Sequence, residues 1–508
     1  MIKIYVDWNI MSGMRSNHFP ELLSILLNND KFLCLYSTSH ISDIFRSYSD
    51  DEEQKARIQD DLEFITKITN DFCLFNDGKN IILDQYDPQE LLDSRIEESD
   101  IFSDLSIDNL FKSDSDDPAL NSLLEYFKTI LKSLELDSVF KEAFENPESA
   151  KILNDIFPGL KDDLTMNGFF NSFSKMNYNL NETEGYKDLR QIVQKIGVNS
   201  GHFNENKDPF ELIDNSYKKK GIENFKSNEY LPKGKNAPDW YDEIMNEYLY
   251  LDMHGYKSDK VKVSEKEKNT FSNTTDDASH TAFASICSFY LTNDDKNYLK
   301  TKAVYKKLSI ETKVLKPAEF IEYYNEYLNY NSISDHFKSL FEIFTKPIFY
   351  DTDNDEGEYF GKFAYPNEYF FNFFNKIWVP VNKGEDYFYF TLSTLPPNPS
   401  KIYTAFKEIE SLVRMFYEAF GPDKNGLELF EISEIQNEIW GGRHWLSDVG
   451  EIKLVRINGW LQLYYNNEEI KKKIADVKLA SNDSLIKRLL KGYKRYFKSK
   501  SVKNLIIY

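Results

Sequence analysis

The 508-residue chain has only three cysteines, Cys34, Cys73 and Cys287, and no two of them share a paired spacing. That arrangement offers neither a disulfide framework nor a metal knuckle, and a reducing, cytoplasmic compartment is expected. Histidine is scarce too: seven scattered imidazoles argue against a zinc centre. No apolar run approaches the roughly 18 residues that span a bilayer, the mean hydropathy is −0.56, and no membrane partner is expected. The opening MIKIYVDWNIM lacks a secretory apolar stretch and carries Asp7 where one would need hydrocarbon. Positive charge is in deficit, with 62 Lys+Arg against 83 Asp+Glu and a net charge of −21. A constitutive, sequence-independent duplex binder needs a broadly basic surface, which disfavours that class. A nuclease survives the argument, because a nuclease site is itself acidic.

What is present suffices for folding. Hydrophobic residues make up 41 % and aromatics 15 %, enough for large cores, and the length allows roughly three domains at about 150 residues each. Residues 1–90 alternate short apolar runs (Ile2–Val6, Phe32–Tyr36) with helix-spaced apolars (Phe19–Leu27), the pattern of a parallel sheet with crossover helices. Residues 91–265 change character, with acidic stretches such as Ser113–Asp117 followed by helix-spaced Leu120, Leu123, Leu124 and Phe127, and predict a mostly helical insertion. The α/β pattern resumes over 266–325: Thr274-Thr275-Asp276 signals a helix start, Phe289–Thr292 a strand, Lys296–Lys307 a helix, Thr312–Leu315 a strand and Pro317 another helix. Residues 326–508 predict an α+β accessory domain. Its signals are strands at Ile377–Val381 and Tyr387–Leu392, a rigid Leu395–Pro399 linker, a helix closed by Gly421-Pro422, and a hairpin turning at Asn458-Gly459. Internal repeats are not evident.

Three acids sit where chemistry would place them. Asp7 follows the first strand, Asp277 falls at the predicted helix start, and Asp294 follows a later strand. Ligands in open parallel sheets bind beyond the carboxyl ends of strands, which points Asp7 and Asp294 into one crevice, and a helix N-terminus would keep Asp277 ionised. Clustered carboxylates need a neutralising cation, and hard oxygen donors select Mg²⁺ or Mn²⁺. Each Asp could instead serve as a helix cap or a strand-end turn.

These segments resemble a known family. Val6-Asp7-Trp8-Asn9 is similar to the opening of a PIN domain. Asp276-Asp277-Ala278-Ser279-His280-Thr281-Ala282-Phe283-Ala284 resembles that family's third-acid helix. Leu291-Thr292-Asn293-Asp294 resembles the fourth-acid strand end, and Leu315-Lys316-Pro317-Ala318-Glu319-Phe320 the last strand and helix. The resemblance covers about residues 1–90 and 266–325. It implies a PIN-like α/β fold, a parallel sheet sandwiched by helices, and a metal-dependent endonuclease that most often cuts RNA. The second acid of such a site is usually a Glu on the helix after strand two; this chain offers Asp43, one methylene shorter, with Glu63 as the alternative. The expected roles follow from phosphodiester chemistry. Asp7, Asp277 and Asp294 hold Mg²⁺ or Mn²⁺, and Asp43 completes the set or positions water. Asn9, Thr292, Asn293 and His280 support these groups. The alternatives are a DNA-directed nuclease and a non-catalytic PIN-like scaffold. The size and accessory domains fit a regulated effector, such as a bacterial toxin or antiviral-defence protein, with a protein partner engaged through the insertion or the C-terminal domain.

Weaker signals complete the reading. Lys487, Lys491, Lys494 and Lys498 share one face of an acid-free tail helix and are candidates for contacting an RNA backbone. Asp351–Glu358 starts like a calcium loop but lacks its Gly and Glu positions, which predicts a solvated acidic loop. Glu438–Trp445 predicts a tight turn with buried indoles, with base stacking as the alternative.

Overall fold

A computed structural model of the chain describes residues 1–49, 51–102, 135–136, 142, 144–145, 147, 150, 153–154, 157–196, 198, 200–203, 207–219, 237–263, 268–346, 348–353, 359–380, 390–394, 406–435, 440–457 and 460–467. The Leu120–Phe127 helix signal, the Leu395–Pro399 linker, the Asn458-Gly459 turn and the tail with Lys487, Lys491, Lys494 and Lys498 lie outside the described residues.

The architecture is mixed α/β. Strands β1 (Ile2–Val6), β2 (Phe32–Ser37), β3 (Phe72–Asn76), β4 (Ile81–Gln85), β7 (Phe289–Leu291) and β8 (Lys313–Leu315) form a six-stranded sheet in the order β4-β3-β2-β1-β7-β8. All neighbours pair in parallel except β3 and β4. A two-stranded ribbon, β5 (Lys262–Val263) and β6 (Lys268–Asn269), precedes β7 in the chain. Val6 lies opposite Leu291, so the two halves of the chain meet in one sheet across the insertion.

Strand alternation sorts the core into two layers. Ile2, Ile4, Val6, Phe32, Cys34 and Tyr36 face helices Trp8–Arg15, Pro20–Leu26 and Glu52–Thr69, packing against Ile10, Met11, Leu22 and Ile65. Tyr5, Leu33 and Leu35 face the opposite layer, with Ile213, Tyr217, Tyr241, Ile244, Tyr248, Ala282 and Phe283. Each such aliphatic side chain contributes roughly 1.5–3 kcal/mol on burial. Helices Pro209–Lys219 and Asp239–Met253, which the sequence assigns to the insertion, are thus part of the layer covering the sheet. The cysteines are buried and unpaired.

Helix Phe271–Ala284 corrects the predicted start at Thr274–Asp276. Its N-cap is Thr270, with Asn273 completing a capping box, because a Thr followed three residues later by an amide side chain satisfies the end amides first. Asp277 therefore lies well inside the helix, away from the N-terminal dipole.

Seven antiparallel strands form the second sheet: β9 (Tyr350–Asp353), β10 (Tyr359–Ala364), β11 (Lys376–Pro380), β12 (Phe390–Ser393), β13 (Arg443–Ser447), β14 (Gly450–Ile457) and β15 (Trp460–Asn466), in the order β13-β14-β15-β12-β11-β10-β9. Ile457 pairs with Trp460 as the predicted hairpin requires. Asp351–Asp353, expected in a solvated loop, belongs instead to edge strand β9, which pairs with β10. Helices Ile333–Ile343 and Phe406–Phe420 pack on this sheet. Trp440 and Trp445 are buried, and Arg443 pairs with Glu434 at 2.5 Å, the structural outcome for that turn. The two sheets are docked: Arg414 pairs with Asp30 at 2.8 Å, and Lys3 pairs with the buried Glu408. No helix among the described residues is long and apolar enough to cross a membrane.

Candidate metal centre

Asp7 ends β1 and precedes helix Trp8–Arg15, the usual place for a capping aspartate, yet its side chain makes no cap hydrogen bond. Its Oδ2 instead accepts from Thr292 Oγ1 at 2.7 Å and Asn9 Nδ2 at 3.0 Å. Asp7 is 6 % exposed, and among the described residues no hydrogen bond reaches its Oδ1. Burial raises its carboxyl above the ordinary range, against the charge of His280 and the Thr292 bond, while Asp43 and Asp294 push the same way as burial.

Helix Thr38–Phe45 starts directly after β2 because Ser37 caps it and His40 closes the box. His40 Nδ1 accepts from the Ser37 backbone N–H at 3.0 Å, so its Nε2–H donates to Val6 O at 2.7 Å. That bond anchors the strand end presenting Asp7. Burial lowers His40 to about 3, keeping it neutral, and the charge of His280 adds to the effect. One turn on, Asp43 meets His280, with Oδ2 2.9 Å from Nε2, and Arg46 lies 3.1 Å from Asp43 Oδ1 while also pairing with Asp276. Burial alone would raise Asp43, but the bond from His280 and the charges of His280 and Arg46 outweigh it, leaving the carboxyl below its usual value.

His280 is 1 % exposed. Its Nδ1 lies 2.7 Å from Tyr5 Oη, which is 2.6 Å from Ser37 Oγ, and its ring meets His40 edge-on with centroids 4.8 Å apart. Burial opposes charge on the imidazole, but the bond to Asp43 and the carboxylates of Asp43, Asp7 and Asp277 raise its pKa.

One potential ligand atom from each of Asp7, Asp43 and His280 lies within 4.8 Å of the others. The other predicted acids fall outside this group. Asp294 is exposed and caps helix Asp295–Leu308, its Oδ1 accepting from the Lys296 and Asn297 amides at 2.7 Å each. Asp277 faces the same electrostatic neighbourhood but is not held ionised by a helix end: burial raises it to about 8, with Lys300 opposing and Asp7 adding. Glu63 is exposed, bonds Gln59 at 3.2 Å and lines a separate cleft with Arg15 and Asp60. Asn293 is exposed, its amide 3.4 Å from Asn9 Oδ1. Sequence reasoning missed Tyr5, Ser37 and Arg46; the last carried a legible signal, standing three residues after Asp43.

The chain has no match among known protein families, curated proteins or solved structures.

Proposed function

We propose that this protein is a PIN-like, metal-dependent endonuclease that hydrolyses phosphodiester bonds, with RNA as its substrate. The observation that carries the reading is the convergence of Asp7, Asp43 and His280 from three elements, the last of which a long insertion separates from the first two. Asp7 leaves the carboxyl end of a parallel strand, where ligands of open sheets bind. The segments that resemble the PIN family occupy neighbouring positions: Asp7 at the end of β1, Asp277 and His280 on one helix, and Asp294 after β7.

The donor set fits a divalent cation. Two carboxylates supply charge, and among the described residues the Asp7 hydrogen bonds go to Oδ2, leaving Oδ1 open to a ligand. The His280 imidazole, biased towards its charged form at rest, would release its Nε2 proton to become the third donor, and a neutral imidazole nitrogen beside carboxylates suits Mn²⁺ better than Mg²⁺. Such a cation, when bound, supplies Lewis acidity for attack on phosphorus. The chain does the positioning. Thr292 and Asn9 orient Asp7, Tyr5 and Ser37 orient the His280 ring, His40 holds the strand end, and Arg46 sets Asp43.

The test is incubation of the full chain with labelled tRNA, mRNA, and single- and double-stranded DNA in Mn²⁺ or EDTA. RNA cleavage in Mn²⁺ that disappears in EDTA and in Asp7→Asn is the expected result. Cleavage of DNA alone would make the enzyme a DNA nuclease, and no cleavage of any substrate would leave the scaffold reading.

A further inference from the structure

A cavity of about 620 Å³ opens between helix Gly185–Ile196 and the segment that follows helix Asp239–Met253. Its charge is opposite to that of the chain. Lys187, Arg190, Lys257, Lys260 and Lys262 line it against one carboxylate, Asp259, in a protein of net charge −21. That carboxylate is already matched, with Lys296 Nζ at 2.7 Å and Lys300 Nζ at 4.0 Å. Arg190 is committed to Asp252 and Lys187 to Glu184. Lys257 and Lys260 are exposed and have no ion-pair partner among the described residues. Uncompensated cations gathered in a concave wall raise the local concentration of anions.

The wall also carries rings and amides. Phe203 and Tyr256 meet edge-on with centroids 5.2 Å apart, and Gln191 and Gln194 line the same space. Cations for phosphate, an aromatic surface for a base and amides for its edges are the components of nucleotide recognition, and the volume lies within the range of small-ligand pockets. Helix Asp295–Leu308, which follows strand β7 beside Asp7's strand β1, contacts the cavity's rim. Asp294 caps that helix, and its Lys296 and Lys300 reach the cavity's Asp259.

We propose that this cavity binds a phosphate-bearing nucleotide unit, supplied by a single-stranded RNA that runs on towards Asp7, Asp43 and His280. The source of the ligand rests on the nuclease reading; the ligand chemistry does not. Lys257 and Lys260 hold the phosphates, and Tyr256 and Phe203 provide the stacking surface.

The test measures binding of a fluorescein-labelled 12-nucleotide single-stranded RNA to the full chain in EDTA by anisotropy, with unlabelled ATP as a second ligand. Lys257→Glu with Lys260→Glu is expected to weaken RNA binding at least tenfold, and Lys257→Gln with Lys260→Gln to lower the log–log salt slope by about 1.4, or roughly 0.7 per lost contact. Lys338→Glu with Lys424→Glu, an equal charge change on the second sheet's domain, is expected to leave affinity within twofold. An unchanged affinity in the cavity variants, or an equal loss in the Lys338/Lys424 control, would overturn the proposal. Lysine-dependent binding of ATP without RNA binding would overturn the strand as source and keep the nucleotide site. Lysine-dependent RNA binding with no cleavage in Mn²⁺ would support the cavity while removing the nuclease reading.

Discussion

His280 Nε2 lies 2.9 Å from Asp43 Oδ2 across 237 positions of sequence. The pair ties helix Thr38–Phe45 to helix Phe271–Ala284 and so joins the two halves of the first sheet's domain at its candidate centre. It also sets the resting electrostatics: Asp43 is held as a carboxylate and His280 is biased towards the charged form.

Asp43→Ala removes the acceptor and leaves the buried imidazole with Tyr5 alone. A hydrogen bond to a charged partner is worth about 1.5–3 kcal/mol, so the melting temperature in EDTA is expected to fall by a corresponding amount. Mn²⁺ is expected to stabilise the folded wild type but not this variant. Paired thermal melts in EDTA and Mn²⁺ check both; an Mn²⁺ shift equal to that of wild type would remove Asp43 from the centre.

Asp277→Asn tests a different carboxyl. Burial raises Asp277 to about 8, far above its ordinary 3.8. The folded state therefore binds a proton that the unfolded chain releases, and the stability this provides is complete below pH 3.8 and lost as pH rises through 8. A permanent amide escapes that loss, so the variant is expected to match wild type near pH 4 and exceed it increasingly towards pH 8.5 in EDTA. Above about pH 8, where the wild-type carboxyl is charged, it is also expected to gain less from Mn²⁺. Parallel melting-temperature curves for the two proteins across this range would contradict the buried-acid assignment.

The strand–helix order of the sheet was legible because a β-branched run ends at Asp7 and a short aromatic-aliphatic run ends just before Asp294, and strand-end acids need no knowledge of helix phase. Those same signals did not separate their roles. A strand-end aspartate can cap the next helix, as Asp294 does, or turn away from it, as Asp7 does when Thr292 competes for its oxygen. The misplaced helix start put Asp277 at a dipole end, and the pairing of His280 with Asp43 across the insertion had no sequence signal. Tyr5 gave no signal, since a tyrosine in a strand reads as core, and the polar partners of its hydroxyl, Ser37 and His280, come only from the tertiary fold.

His336 provides a pH test away from the centre. It sits in helix Ile333–Ile343, where its Nδ1 accepts from the Phe371 N–H at 3.1 Å. Burial, helped by the charge of Lys31, lowers it to about 3. A depressed folded-state value means that its stability is present above the unfolded pKa of 6.5 and is lost as pH falls towards 3, at about 1.4 kcal/mol per unit. His336→Gln retains an acceptor but does not titrate. The drop in melting temperature between pH 7.5 and pH 5 is expected to be smaller in the variant, though not abolished, because His40 is depressed in the same direction. Equal drops would show that the imidazole is not held neutral.

Asp252 is the last test, and it concerns the join between the insertion and the sheet. Its carboxylate is fully buried and accepts from Tyr186 Oη at 2.7 Å, Arg190 Nη1 at 3.0 Å and Lys300 Nζ at 3.0 Å. The three donors come from helices Gly185–Ile196 and Asp295–Leu308, while Asp252 lies on helix Asp239–Met253, so one carboxylate links three elements. Lys300 is itself 0 % exposed and also lies over the Tyr248 ring at 4.5 Å. Asp252→Asn keeps the shape and removes the charge, leaving a buried ammonium without its main counter-ion, at a cost of about 3–5 kcal/mol. Lys300→Met removes the cation instead and leaves Asp252 with Arg190 and Tyr186, a milder loss. In the double variant the two changes offset each other, because neither charge is then stranded, and the combined destabilisation is expected to be smaller than the sum of the single effects by at least about 1 kcal/mol. Additive losses in urea unfolding would mean that Lys300 and Asp252 are independent, and that the insertion is held to the sheet by its apolar contacts alone.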